Sequence, residues 1–263
     1  MKIIFVGVGE AFDENRPNTS ILVLGEAGND PVRILFDCGF TAAHAFWRLA
    51  PDPTALDAVW ISHFHGDHFL GLPLLLLRFW EEKRTRPLTI IGQEGVTEKV
   101  PSAMDLAYPG FYEKLTFPVK YVTAQPGQEL DLLRHRWSFA AGRHSQPCLG
   151  IRLAGDTGSV YYSGDGQPSD GTAVLARGCD LVIHEAYGRQ AMLAAHGSVD
   201  GSIEFARHTG AGHLALVHMN RRIREEHASA VRRQLAGLPG LHAFLPAPGD
   251  SITIGASAPE TAT

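Results

Sequence analysis

Short apolar, β-branched runs recur along the chain at Lys2 to Val8, Ser20 to Gly25, Val32 to Asp37, Ala58 to Ser62, Leu88 to Gly92 and Pro118 to Thr123. They return at Leu149 to Leu153, Val160 to Ser163, Leu181 to His184 and Leu214 to His218. Their length and residue types predict strands. Between them, apolar positions follow helical spacing at Ala42 to Leu49, Phe69 to Glu82, Glu94 to Leu106, Asp170 to Arg177, Val199 to His208 and Arg222 to Leu235. Closely spaced early strands, followed by helices between later strands, predict an α/β protein in which two packed sheets carry helices on their outer faces, an αββα four-layer sandwich. There is no internal repeat and no linker long enough to divide the chain, so residues 1–263 read as one domain. The tail 256–263, rich in Ala, Pro and Thr, is expected to fray.

Composition narrows the function classes. With 44% hydrophobic and 19% charged residues, 263 residues can build a core, which excludes disorder and a disulfide-dependent miniprotein. Twenty-three basic against 28 acidic residues give a formal charge of −5, which disfavours a globally basic nucleic-acid binder. Three cysteines, Cys38, Cys148 and Cys179, without C-x-x-C spacing argue against a disulfide framework and a Cys-type zinc finger, and fit a reducing cytoplasm. Met1 to Val8 lacks the apolar region and cleavage site of a signal peptide. The longest apolar stretch, Phe69 to Trp80, has 12 residues and includes Pro73 and Arg78, too short to span a bilayer, so no membrane is expected.

The chemistry concentrates in Ser62-His63-Phe64-His65-Gly66-Asp67-His68, directly after an apolar run. Imidazole and carboxylate are ligands for borderline divalent metals, and His63 and His65 point the same way if the backbone there is still extended. Gly66 is expected to permit a turn that brings Asp67 and His68 to a second position. His144, Asp165 and His218 also follow strand ends or loops. A lone histidine there is ordinarily a hydrogen-bonded structural residue. Together with the first cluster, however, these three supply the donors of a dinuclear site, with Asp165 as the natural bridge.

These residues resemble the metallo-β-lactamase superfamily of dinuclear hydrolases, whose signature is H-x-H-x-D-H. The resemblance implies that His63, His65 and His144 bind one metal, Asp67, His68 and His218 the second, and Asp165 both. Within the superfamily the chain is similar to the ribonuclease Z group, through Val6-Gly7-Val8-Gly9, Asn18-Thr19-Ser20, Asp37-Cys38-Gly39, His184-Glu185-Ala186-Tyr187 and His196. That likeness implies that Glu185 and His196 form a pair that protonates the leaving group. The alternative is that Glu185 caps the next helix and His196 is a surface histidine. Asp37 has two readings as well, holding the far ring nitrogen of a ligand histidine or serving as a strand-end turn residue. The group's tRNA-gripping arm lies between the positions of His144 and Asp165, which here leave no room for it, and its basic loop is represented in Glu14 to Asn18 by Arg16 alone. Dedicated tRNA processing is therefore disfavoured.

The reading is a cytoplasmic hydrolase of phosphate esters, a phosphodiesterase acting on nucleotides or short RNA, using two divalent ions to make hydroxide available. Zinc is the first choice, with manganese or iron compatible with the donors. Asp67 would orient the hydroxide and His196, backed by Glu185, would act as the acid. The resemblance also implies a homodimer. The first rival is a lactonase or β-lactamase-type hydrolase with Phe69 to Trp80 as its acyl wall. The second is a non-catalytic metal-binding protein. Arg221, Arg222, Arg224, Arg232 and Arg233 read as a solvated basic helix face or a basic contact surface.

Overall fold

The computed structural model describes residues 1–25 and 31–255, and the tail expected to fray lies outside them. In chain order the elements are β1 (Lys2–Gly7), β2 (Ser20–Leu24), β3 (Arg33–Phe36), α1 (Ala42–Leu49), β4 (Ala58–Ile61), α2 (Gly66–Phe69), α3 (Leu72–Glu81), β5 (Leu88–Gly92), α4 (Val96–Ala107) and β6 (Val119–Thr123). There follow β7 (Glu129–Leu132), β8 (His135–Ala141), β9 (Leu149–Ala154), β10 (Ser159–Tyr162), α5 (Asp170–Ala176), β11 (Leu181–Glu185), α6 (Val199–Thr209), β12 (His213–Val217), α7 (Arg221–Ala236), β13 (His242–Phe244) and β14 (Ser251–Thr253).

Among the described residues these strands form two seven-stranded sheets, ordered β14-β1-β2-β3-β4-β5-β6 and β13-β12-β11-β10-β9-β8-β7. Strand periodicity sorts their side chains into three apolar layers. Ile3, Phe5, Ile34, Phe36 and Trp60 of the first sheet meet Trp137, Phe139, Ile151, Tyr162 and Ile183 of the second. Their neighbours Ile4, Leu35, Val59, Ile61 and Ile90 turn outward under α1, α3 and α4, and Tyr161, Val182, Leu214 and Leu216 turn outward under α5, α6 and α7. Both faces of most strands are therefore buried, which is why those strands read as continuous apolar runs. The four-layer αββα sandwich expected from the sequence is the observed architecture. The inter-sheet seam is fixed by two stacked pairs, Trp60 on Phe139 at 5.0 Å and Phe36 on Tyr162 at 5.8 Å.

Four expectations need correction. The helix expected over Phe69 to Glu82 is broken between α2 and α3, because Gly71 packs against the Gly39 and Cys38 carbonyls, where an added Cβ would lie 2.1 Å from Gly39 O. Gly66 is not a turn glycine: it opens α2, and it is small because the Phe40 ring occupies the place of its Cβ. Phe69 to Trp80 is no acyl wall, since Leu72, Leu75, Leu76 and Phe79 are fully buried beneath the first sheet. The arginines of α7 do not form one solvated face: Arg224 is buried and donates to Pro246 O, while Arg221 is held by Glu10 at 2.9 Å. The interval from His144 to Asp165 is occupied by β9 and β10, and no arm projects there.

Candidate active site

The candidate residues converge at one edge of the sandwich, where β4, β8, β10, β11 and β12 all end. Sheet ends are where open α/β layers place their sites, because loops leave the scaffold there. His63 and His65 follow β4, His65 in extended backbone at φ −70° and ψ 147°, and α2 then carries Asp67 and His68. His144 lies between β8 and β9, Asp165 follows β10, Glu185 ends β11, and His218 follows β12 at φ 54°. That left-handed backbone at His218 is held by its N–H donating to Val8 O at 3.0 Å, so the Gly7-Val8-Gly9 segment buttresses the site. Gly7 and Gly9 permit this because side chains there would strike the carbonyls of Asn18 and Arg16.

Two groups of nitrogen and oxygen atoms face one another. His65 Nδ1 is 3.0 Å from His63 Nε2 and 3.1 Å from His144 Nε2. His218 Nε2 is 3.1 Å from Asp67 Oδ2 and 3.3 Å from His68 Nε2. Asp165 stands between them, 3.2 Å from His68 Nε2, 3.4 Å from His218 Nε2 and 3.9 Å from His63 Nε2. The groupings His63, His65, His144, Asp165 and Asp67, His68, His218 each bring their donors close enough to share an ion. A third, Asp165, Glu185, His196 and His218, does so as well, and sequence reasoning did not offer Glu185 as a donor.

The far ring nitrogens determine which lone pairs point inward. Asp37 can only accept, so His68 Nδ1 donates to its Oδ2 at 2.7 Å and leaves Nε2 facing the cluster. Ser62 Oγ gives its single proton to the same oxygen at 2.7 Å, so it accepts from His63 Nδ1 at 3.0 Å, again leaving Nε2 inward. His144 Nδ1 donates to Ala195 O at 2.9 Å with the same result. Tyr162 OH and the Ser62 N–H, each at 2.7 Å, complete the bonding of Asp37, whose left-handed φ of 57° an aspartate tolerates. Of its two sequence readings, Asp37 therefore takes the one that orients a histidine. Ser62 and Tyr162 were not found from sequence, since no motif links them to Asp37.

Charge in this pocket is strongly perturbed. Burial pushes the Asp165 carboxyl up, but His218, His68 and His63 outweigh it and hold it well below the usual carboxylate range. Asp67 is likewise lowered, burial being outweighed by its hydrogen bonds to His218 and His68. Burial lowers the His63 imidazole, reinforced by His68. Burial also acts to lower His218, yet Asp165, Asp67 and Glu185 prevail and push it up to about 10. Asp165 Oδ1 and His218 Nδ1 are buried without a hydrogen bond among the described residues. Inward lone pairs, ionised carboxylates and an unbonded buried carboxylate oxygen fit divalent cations.

Beside the cluster, His196 Nδ1 donates to Glu185 Oε2 at 3.0 Å. Glu185 Oε1 accepts from the N–H groups of Gly166 and, at 3.0 Å, Gly197. Glu185 therefore does not cap α6; Ser198 does, accepting from Gly201 N at 3.1 Å. Burial acts to lower the His196 pKa, but Glu185 more than offsets it and raises it. The Tyr187 ring packs on His196 at 4.9 Å, and its OH accepts from Asn220 Nδ2 at 3.1 Å. Arg16 is spent on Asp13 at 3.3 Å.

A family model described as a beta-lactamase superfamily domain matches residues 32–219. Ribonuclease BN of Escherichia coli O6:K15:H31 (strain 536 / UPEC) is 30% identical over 274 residues, covering 84% of this chain and 90% of its own. Ribonuclease Z of Natronomonas pharaonis is 26% identical over 308 residues, covering 97% and 98%. The structure of human tRNase Z, short form, superposes with a TM-score of 0.74 at 21% identity, over 97% of this chain and 99% of that one. A diphosphatase from the PhnP family gives 0.71 at 18% identity, over 96% and 97%. At such identities the two structures establish the fold. Fold, family model and curated relatives agree that this chain belongs to the metallo-β-lactamase superfamily of hydrolases, whose fold implies divalent metal ions.

Proposed function

We propose that the chain is a phosphodiesterase acting on nucleotides or short RNA. The observation that carries the reading is the 3.0 Å contact between His196 and buried Glu185, beside a cluster suited to cations. A strained lactone or lactam opens without an external acid, whereas an alkoxide departing from a phosphodiester needs one. The ribonuclease relatives support the same substrate class. His63, His65 and His144, and Asp67, His68 and His218, with Asp165 shared, would hold two divalent ions, zinc by the mix of imidazole and carboxylate donors, which when bound would make hydroxide available at neutral pH and supply positive charge for the phosphate.

The chain's own groups do the rest. Asp67 accepts a hydrogen bond from the attacking water and orients it. Glu185 occupies His196 Nδ1, so the mobile proton sits on Nε2 and goes to the departing oxygen. With β9 and β10 filling the interval between His144 and Asp165, precursor tRNA is expected to be cut more slowly than short diesters.

The test is a panel of a dinucleoside phosphate, bis(p-nitrophenyl) phosphate, precursor tRNA, a lactone and a cephalosporin, on zinc- and manganese-loaded protein. Diesters should turn over and the rings should not. His196→Ala should slow the dinucleoside phosphate by about 10²- to 10⁴-fold, and the nitrophenyl diester far less because its leaving group departs unaided. Equal slowing of both, with metal content intact, would remove His196 from the acid role. Turnover of the rings alone would overturn the phosphodiester reading.

A further inference from the structure

A cavity of about 630 Å³ opens beside the candidate site, and His196 forms part of its wall. Its lining combines the apolar Ala173 and the buried Phe205 with Arg143, Gln167 and Glu204. The lining adjoins the metal-ligand candidates through the chain itself. Arg143 precedes His144, Gln167 lies two residues after Asp165, and their backbones exchange hydrogen bonds of 3.0 and 2.9 Å.

A general acid marks the side on which the leaving group departs. In the proposed reaction a water oxygen forms the new P–O bond while the P–O bond to the alcohol breaks. The His196 proton goes to the alcohol oxygen, and the proton given up by water restores the balance. The alcohol must therefore lie against His196, with the phosphoryl group towards the His63 to His218 cluster. We infer that this cavity holds the departing alcohol and that the alcohol is a single nucleoside. The inference rests on the phosphodiester reading. The volume suits a nucleoside rather than a small alcohol, since sites for ligands of that size span about 300 to 1,000 Å³. The Phe205 ring and Ala173 suit the face of a base, and the polar lining groups suit ribose hydroxyls. The lining also disfavours a longer polyanion on this side, because Asp170 and Glu204 offset the charge of Arg143.

The experiment fills the cavity from two independent walls, with Ala191→Trp on the loop before His196 and Ala173→Phe on α5, after confirming fold by circular dichroism and metal content. Two probes are compared: thymidylyl-thymidine, which releases a nucleoside, and the methyl ester of thymidine 5′-phosphate, followed by methanol release. Both variants should lower kcat/KM for the first at least about tenfold more than for the second, as misplacing a reacting group does. Calorimetry should detect free thymidine on the wild type and lose it in both variants. An unchanged ratio, or thymidine binding that survives in both folded variants, would overturn the assignment while leaving the phosphodiester reading standing. A wild type that turns over neither diester would instead remove that reading and this assignment with it.

Discussion

At the scale of single residues, the site depends on how few protons remain uncommitted. Asp37 accepts four hydrogen bonds, and through His68 directly and Ser62 indirectly it aims two imidazoles. The H-x-H-x-D-H run was legible because all its donors fall within six consecutive residues after β4. Asp37 was half legible, as a carboxylate at a strand end, whereas Tyr162 reaches it from the opposite sheet and no local pattern encodes that. Asp165 stands between the two groups, so Asp165→Ala should lower metal content in both, to well under two ions per chain by elemental analysis. A variant that retains two would deny it the bridging role. Loading should also release protons. In the metal-free protein Asp165 and Asp37 outweigh burial to raise His68, and His218 is raised to about 10, so binding of an ion, which needs the neutral imidazoles, competes with protons there. Affinity should accordingly strengthen as pH rises towards that value and weaken on acidification, with net proton release near pH 7. Calorimetry in buffers of different ionisation enthalpy measures that release, and zero release would contradict it.

At the scale of elements, legibility follows burial. Most strands buried on both faces stand out as apolar runs; β7 is half-exposed and does not, and β8, though largely buried, does not because His135, Arg136 and Ser138 interrupt it. β7 alternates exposed and half-buried positions over Glu129–Leu132, and the turn into β8 places Leu133 and Arg134 at φ 52° and 59°. That turn conformation ordinarily advertises itself with Asn-Gly or Asp-Gly, and Leu-Arg gives no such signal. β13 and β14 are three residues long at the sheet edges, too short for a periodicity. Helix packing also relies on a residue whose type suggests the surface. Arg84 donates to the carbonyls of Thr54, Leu56, Arg86 and Pro87, at 2.6 Å for Leu56, and its guanidinium lies 4.9 Å over the Phe79 ring. It thereby ties the segment before β4 to the one before β5. Lysine offers three donors from a point rather than a planar fork, so Arg84→Lys should lower unfolding stability by about 2 to 4 kcal/mol through carbonyls left unbonded. Urea denaturation is the measurement; a loss under about 0.5 kcal/mol, the range of ordinary surface substitutions, would show the fork to be dispensable.

At the scale of the whole molecule, the two sheets contribute unequally to a site that neither completes. His63, His65, Asp67 and His68 follow β4 of the first sheet, while His144, Asp165 and His218 come from the second. His65 meets His144, and His68 meets His218, only when the sheets are docked through Trp60, Phe139, Phe36 and Tyr162. Ions held by both sets of donors would therefore bind the folded chain and not its separated halves, and such binding would add about 2.7 kcal/mol when free metal exceeds its Kd a hundredfold. At about 2 to 4 °C per kcal/mol for a chain of this size, zinc loading should raise Tm by roughly 5 to 10 °C, and a chelator should return it. If residues 1–263 form one domain, the melt is a single transition before and after loading, and it moves as a whole. Two transitions, of which metal shifts only one, would place the donors within one half of the sandwich and divide the chain into separately folding units.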